Sequence, residues 1–424
     1  MNTPITYHGT WWFPTESIIS PLRQHCKTLT GTLCYYGDKE STLVLVFTPQ
    51  DYQGVTTTYD YPDVIWGETA DGCKITLLNS SCVKREGWQS VEYEVEYIVK
   101  GAHLLSIEEK VISRAVVRYP NLAQWCFKSR MKIDTLKNED KRILLDMHSQ
   151  DYIFDVEVEE GVQCYTMPYL QYHWQGTNIT NLNIQMDTIL GFQFHALKGI
   201  REAFGYIIEF SRFLSLALYG KQSPNSIELY MGQDRQKVNV LFRAQESASL
   251  YGKPVIKYEK LAAKIPTILR EWHKVYVALA PIVELLFYKE QTSRYDTANF
   301  LGLAQGIDGY FKRFVNKRQE DKDIRKYRDA IQKLLTRLKD VEVVNECKID
   351  IEELVDTRNK YTHLTPDGEN PKAVEGDELI WLTQKCRILL SCCVLDCIGL
   401  TNKEINDCCE HSAIEGILSS IPFL

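Results

Sequence analysis

The apolar residues of this chain change their period partway along it, and that change limits the available folds more than any single motif. Up to about residue 250 they alternate with polar ones over short runs broken by turn residues. After Gly252-Lys253-Pro254 they recur every third or fourth position. Alternation buries one face of a strand, whereas a three-to-four spacing buries one stripe of a helix. One layer cannot satisfy both, and 424 residues exceed an ordinary single domain. We therefore expect an α+β multidomain protein, with a β-rich domain over 1–250 and a helical region over 251–424 whose core starts near 290.

In the first half, Thr28 to Phe47 is rich in Thr, Val, Leu and Tyr around Gly37-Asp38, which predicts a hairpin. A second hairpin is expected from Ile65-Trp66-Gly67-Glu68 and Ile75-Thr76-Leu77-Leu78, turning at Asp71-Gly72. Glu92 to Val99 alternates strictly and predicts a half-buried strand. The strand character continues through Leu104 to Arg118 and Arg142 to Tyr165, then Ser226 to Met231 and Val238 to Phe242. Many short strands separated by turns predict a sandwich or an irregular barrel. One helix interrupts them, with Ile200, Phe204, Ile207, Phe213 and Leu216 at helical spacing and Gly220 as its stop.

The second half reads as an all-helical bundle. Leu261 to Tyr288 is helical, with breaks expected at Pro266 and Pro281. A helix follows with Phe300, Leu303, Ile307, Phe311 and Phe314 in its core, then one with Ile324, Tyr327, Ile331, Leu334 and Leu338. Asp350 to Leu364 forms a further helix, and the apolar Asp377 to Leu400 a central one. Thr401-Asn402-Lys403-Glu404 is a capping box for the last.

The helix over 350–364 carries the residues with most chemistry, Arg358-Asn359-Lys360-Tyr361-Thr362-His363. At about 100° per residue, Ile351, Leu354, Val355 and Tyr361 share one side and Arg358 falls at its middle. Asp356, Asn359 and His363 form a second, polar stripe. A charge centred on an apolar face needs an anion to meet it, in a groove or across a subunit interface. Asn359, one turn before His363, is placed to hold the imidazole. Arg neutralises phosphate oxygens and His moves protons near neutral pH, which is the minimal equipment for cutting RNA through its own 2′-hydroxyl. No carboxylate cluster accompanies them, so no metal and no cofactor are expected. The plainer alternative is a helix end in which Arg358 pairs with Asp350 or Asp356 and His363 answers the helix dipole.

Net charge is −7, which argues against a protein that coats nucleic acid and confines any RNA contact to a local patch. Lys312, Arg313, Lys317 and Arg318 supply one candidate, with Lys322, Arg325, Lys326 and Arg328 beyond; Glu320, Asp321, Asp323 and Asp329 interrupt it. Cysteine numbers 13, an odd count with the adjacent pairs Cys392-Cys393 and Cys408-Cys409. That suits a reducing cytosol better than a disulfide framework. Cys386, Cys393 and Cys397 recur at helical spacing without a C-x-x-C pair, so buried packing is a better reading than zinc. The N-terminus has neither the basic flank nor the apolar run of a signal peptide, and Ile388 to Leu400 is too short to span a bilayer. Cytoplasmic location without membrane attachment is expected.

Arg358-Asn359-x-x-x-His363 on a late helix resembles the R-N-x-x-x-H signature of HEPN ribonucleases. Phe300-Leu301-Gly302-Leu303 through Asp308-Gly309-Tyr310-Phe311 resembles their early helix, with Asp308 where Glu is more common. Gly9-Thr10-Trp11-Trp12-Phe13-Pro14, Ile65-Trp66-Gly67-Glu68 and Tyr119-Pro120-Asn121-Leu122-Ala123-Gln124-Trp125 resemble the N-terminal domain of ApeA-like anti-phage HEPN proteins. The resemblance implies a metal-independent endoribonuclease acting on tRNA during phage infection, with Arg358 and His363 catalytic and Asn359 and Asp308 in support. It also implies a homodimer or higher homo-oligomer through the HEPN bundle, two motifs facing one cleft, and a phage-derived trigger. Two further readings stand beside it: a non-catalytic HEPN interaction or nucleotide-binding module, and a carbohydrate- or peptide-binding protein led by the β half and its aromatics.

Overall fold

A computed structural model describes residues 4–14, 28–47, 62–86, 89–126, 131–135, 143–147, 152–175, 181–233, 236–243, 246–248, 253–287, 297–316, 326–366 and 368–421. The chain divides into two compact units, Met1–Ile208 with Ser223–Ser247, and Glu209–Gln222 with Ala248–Leu424.

The first unit is built on strands β1 (Ile5–Trp12), β2 (Leu29–Tyr35), β3 (Ser41–Val46), β4 (Val64–Thr69), β5 (Lys74–Glu86) and β6 (Ser90–Lys100). They run in the order β6-β3-β2-β1-β4-β5, and β5 pairs back onto β6, so six strands close into a barrel. The alternation read in the sequence is what fills it. Leu33, Leu43, Leu45, Ile65, Ile75, Leu77, Tyr93 and Trp11 all lie in one buried cluster. Both expected hairpins form, β2–β3 and β4–β5. Trp11 stands opposite Gly67. A Cβ at Gly67 would lie 2.2 Å from the Trp11 ring, so the indole fits only because that residue has no side chain.

The sheet continues past β6 through β14 (Gln236–Phe242), β13 (Ser226–Met231), β7 (Ile112–Arg118), β12 (Asn181–Lys198), β11 (Val162–Gln175) and β10 (Phe154–Glu159). A separate hairpin joins β8 (Met131–Thr135) and β9 (Ile143–Met147). The strand expected from Leu104 begins only at Ile112. Upstream, the Leu104 N–H donates to the Thr76 hydroxyl, and that hydroxyl donates to the Ala102 carbonyl, so the backbone is held by a side chain instead of a ladder. The long β11–β12 hairpin extends well beyond the strand read to Tyr165. Pro168 is tolerated in it because it shares the parity of Thr166, whose carbonyl faces β10, and β10 pairs no further than Thr166. Gly191 is tolerated because the Tyr165 ring lies across it. A one-turn helix α1 (Leu122–Cys126) adds to the helix expected near residue 200, here α2 (Ile200–Leu218).

The second unit holds α3 (Tyr258–Leu261), α4 (Ile265–Phe287), α5 (Thr297–Tyr310) with a π turn at Phe311–Val315, α6 (Tyr327–Arg337), α7 (Glu342–Glu346), α8 (Ile351–His363), α9 (Gly376–Cys397), α10 (Asn402–Cys409) and α11 (Ala413–Ser419). The prolines do not break α4. Pro266 is its second residue, where no N–H is needed. Pro281 lies on the exposed side, and Val277, whose carbonyl it leaves without an i+4 donor, is 87% exposed. The central α9 packs on α5, where Gly306 lets Leu390 approach. Cys386, Cys392 and Cys393 are buried in α9, and Cys347, Cys408 and Cys409 are buried beside them. Burial pushes the thiols of Cys347 and Cys408 up to about 12, as befits small core residues. The expected capping box is present at Thr401 and Glu404. Among the described residues no helix is long and apolar enough to cross a membrane.

The Gly67–Trp11 fit gives a direct test of the barrel. Gly67→Ala is expected to destabilise the protein by about 1–3 kcal/mol through overpacking, measured by urea denaturation. An unchanged midpoint would show that Trp11 does not fill the barrel as described.

Candidate active site

Helix α8 is fixed at both ends. Asp350 caps it, its carboxylate accepting from the N–H groups of Glu352 (2.8 Å) and Glu353 (3.3 Å). Lys372 pairs with the same carboxylate at 2.9 Å and is the first cause holding its pKa below the usual range. At the other end Leu364 adopts the left-handed conformation, φ 50° and ψ 44°, and the Leu364 and Thr365 N–H groups both donate to the Lys360 carbonyl.

The segment following α8 folds back along it as a strap. The Lys372 N–H donates to Asp356 (3.1 Å), the Val374 N–H to the Thr357 hydroxyl (3.0 Å), and the Tyr361 hydroxyl to the Val374 carbonyl (3.4 Å). Lys360 pairs with Glu375. The buried centre of α8 is accordingly Leu354 and Thr357, both 0% exposed, and not Arg358 as the helical wheel implies. A wheel scores threonine as polar, but Thr357 donates to the Glu353 carbonyl (2.6 Å) and accepts from Val374, so its hydroxyl is buried without penalty.

Arg358 sits half-buried beside this core. Its guanidinium lies over the ring of Tyr327 on α6, 5.2 Å from the centroid, within cation–π range. Its Nη1 donates to the Asn359 amide oxygen at 3.3 Å. Among the described residues no carboxylate is within ion-pair distance of Arg358, so neither Asp350 nor Asp356 neutralises it. The Tyr327 hydroxyl donates to the Ala304 carbonyl on α5 (3.2 Å). Burial drives the Tyr327 phenol well above its ordinary pKa; the nearby Asp308 charge adds to this and Arg358 opposes it. Asp308, one turn beyond Ala304, is thereby near the same ring, and it also pairs with Lys312 at 2.6 Å. The structure thus brings Arg358, Asn359, Tyr327 and Asp308 together.

His363 stands apart from them. It is exposed in the last turn of α8, and no hydrogen bond joins it to Arg358 or Asn359. The expected Asn359–His363 contact is absent because the Asn359 amide is turned to Arg358, its immediate neighbour. Asp356, the third member of the polar stripe, holds the strap. Five residues along a helix also separate Arg358 and His363 by roughly 140° around the axis and about 7.5 Å along it. Of the basic candidates, Lys312 is paired with Asp308 and Arg313 donates to the Ala278 carbonyl (2.6 Å), while Lys317 and Arg318 lie outside the described residues.

Tyr327 is the site residue that sequence reasoning places only in the core of its helix. Nothing in linear spacing ties it to Arg358; only the packing of α6 against α8 does.

Comparison with protein families divides the chain in two. Residues 6–272 match the family described as ApeA N-terminal domain 1, and residues 301–404 match the Apea-like HEPN family. The second match spans Asp308, Tyr327, Arg358, Asn359 and His363. No curated protein and no solved structure gives a significant match.

The platform beneath Arg358 can be tested chemically. Tyr327→Phe keeps the ring, forfeits one hydrogen bond, and is expected to cost about 1 kcal/mol. Tyr327→Leu removes the ring and is expected to speed modification of Arg358 by a dicarbonyl reagent, read by mass spectrometry, while Tyr327→Phe leaves that rate unchanged. Equal rates in all three proteins would show that the ring does not hold the guanidinium.

Proposed function

This chain belongs to the ApeA-like family of HEPN proteins, and on that premise we propose that it is a metal-independent endoribonuclease of anti-phage defence, with tRNA as its substrate. The observation that carries the reading is a half-buried arginine with no carboxylate partner among the described residues, on a helix that ends in an exposed histidine. Among the described residues Arg358 is held in place by a ring and an amide and meets no carboxylate. A charge kept in that state is available to an incoming anion.

RNA supplies the rest of the chemistry. Its 2′-oxygen attacks the adjacent phosphorus, forming a 2′-O–P bond as the P–O5′ bond breaks. The products are a 2′,3′-cyclic phosphate and a free 5′-hydroxyl. The proton of the 2′-hydroxyl must leave and one must reach the 5′-oxygen, and His363 is assigned to move them. Arg358 stabilises the charge that gathers on the non-bridging oxygens in the transition state. Asn359 and Asp308 act in support, Asn359 by accepting a hydrogen bond from Arg358 and Asp308 by flanking the Tyr327 platform.

The separation of Arg358 from His363 favours two copies of the HEPN bundle facing each other, so that the groups of both copies serve one cleft. Lys312, Arg313, Lys317 and Arg318 are proposed as phosphate contacts, the first two exchanging their present partners for RNA. The β-rich unit is assigned to sensing a phage-derived trigger and restraining the bundle until it arrives, in the cytoplasm.

His363→Ala and Arg358→Ala are each expected to lower RNA cleavage in EDTA by about 10²–10⁴-fold, with little change in thermal midpoint because both residues lie outside the core of α8. Cleavage and phage protection that persist in a folded His363→Ala protein would sink the catalytic reading. Loss of self-association in that variant, with RNA never cut by the wild type, would favour a non-catalytic interaction module.

A further inference from the structure

In the β-rich unit, Arg114 and Arg118 project from one face of β7, four residues and so about 13 Å apart along the strand. Each guanidinium lies over a tyrosine ring. Arg114 is 4.0 Å from the centroid of Tyr230 on β13, and Arg118 is 4.3 Å from that of Tyr169 on β11. Stacking alone would signify little, since Arg212 also lies over Tyr276, but Arg212 is paired with Glu284. Arg114 has no carboxylate within ion-pair distance among the described residues. Arg118 has Glu228 at 3.9 Å, and Glu228 is closer to Lys237, at 2.9 Å. The Nε of each arginine is covered and has no hydrogen-bond partner among the described residues. Both charges are thus partly taken out of water with little but rings to compensate them.

Residues paired directly across an antiparallel sheet share a face. The pairings therefore place Glu228 and Tyr230 of β13 and Lys237 of β14 on the face that carries the two arginines. On β7, β13 and β14 three cations share one carboxylate. Asp187 on β12 and Asp155 on β10 border this track, so it is a local patch on a chain whose net charge is −7. On the same face Tyr165 lies across Gly191. Tyr152 packs on Tyr165, ring centroids 5.1 Å apart, and remains 47% exposed.

We propose that this face of the β-rich unit binds a single-stranded nucleic acid, with phosphates on Arg114 and Arg118 and a base on Tyr152. This names a ligand class for the unit assigned to sensing, and it does not depend on whether the bundle cuts RNA. The charge pattern selects an anion, because an arginine fork that no carboxylate occupies is matched by phosphate. Two forks spaced along one strand suit a chain of phosphates better than a single one. An acidic peptide would satisfy the charges but has no use for an exposed ring beside them, whereas every base has a face to stack on it.

The test is binding of a fluorescein-labelled single-stranded DNA of about 16 nucleotides to the full chain, followed by anisotropy over a salt series. DNA lacks the 2′-hydroxyl, so the reaction assigned to Arg358 and His363 cannot consume the probe. Replacing both arginines, Arg114→Gln with Arg118→Gln, is expected to weaken binding by at least about 10-fold. It should also reduce the slope of log affinity against log salt by about 1.4, as two phosphate contacts on a single strand require. Tyr152→Ala is expected to weaken binding about 10-fold with the slope unchanged. In the wild type, the strand should slow modification of Arg114 and Arg118 by a dicarbonyl reagent, read by mass spectrometry. That arm needs no substitution, so it decides even where a variant fails to fold. A wild type that does not bind the strand overturns the proposal, as does a folded double variant that binds like the wild type. Unchanged modification of both arginines under saturating strand overturns it too. Protection by polyglutamate that the strand does not match would make the face a protein-docking surface instead. A protein that binds the strand here and cuts no RNA supports the proposal and fails the catalytic reading alone.

Discussion

Arg358 rests on the ring of Tyr327, and the rest of the candidate site is arranged around that contact. A guanidinium half out of water needs either a carboxylate, which would cancel it, or a surface that tolerates its charge without using it up. The ring is such a surface, because its negative face attracts the cation while leaving the N–H fork available for planar oxyanions. The ring is itself fixed, since the Tyr327 hydroxyl donates to the Ala304 carbonyl on α5. Three helices are therefore committed to the position of one side chain: α8 carries it, α6 supports it and α5 anchors the support. Asp308 follows Ala304 by one turn of α5, which puts a carboxylate near the platform without placing it on the arginine.

How legible this was in the sequence depends on the range of the interaction. Helix α8 could be read almost to the residue, because Asp350 caps it locally and the polar segment after Leu364 ends the apolar period. The capping box at Thr401 is equally local. The wheel misplaced the buried centre because it ranks residues by polarity, and Thr357 satisfies its hydroxyl with partners that a wheel does not contain. The polar stripe dissolved for the same reason. Asp356 serves the strap and Asn359 serves Arg358, leaving His363 alone of the three without a partner among the described residues. Tyr327 could not be found at all, since its role exists only once α6 packs on α8.

The β-rich unit shows the same division. Its hairpins were readable from turns and alternation, but closure was not. That β5 returns to β6 while β1 lies between β2 and β4 depends on pairings between distant segments. The β11–β12 hairpin was not read beyond Tyr165, and it contains two residues that weaken a strand elsewhere. Pro168 is harmless where its missing N–H has no partner strand among the described residues, and Gly191 is required where a tyrosine ring crosses the neighbouring backbone. Propensity counts these positions against a strand; the environment counts them for it.

The end of α8 divides its labour in a way that bears on function. Thr357, Lys360 and Tyr361 hold the last turns to the strap, and Asp356 does so one residue earlier. Fixing a helix terminus usually falls to whatever side chains are there, yet Thr362, His363 and Leu364 take no part and stand exposed. The strap costs backbone ordering and yields no buried apolar cluster of its own, so its return is rigidity at that terminus. A surface helix end with nothing to bind could fray without consequence. One that is caged on one side and left bare on the other, with an arginine that meets no carboxylate among the described residues a turn and a half behind it, is built to present its bare side in a fixed position.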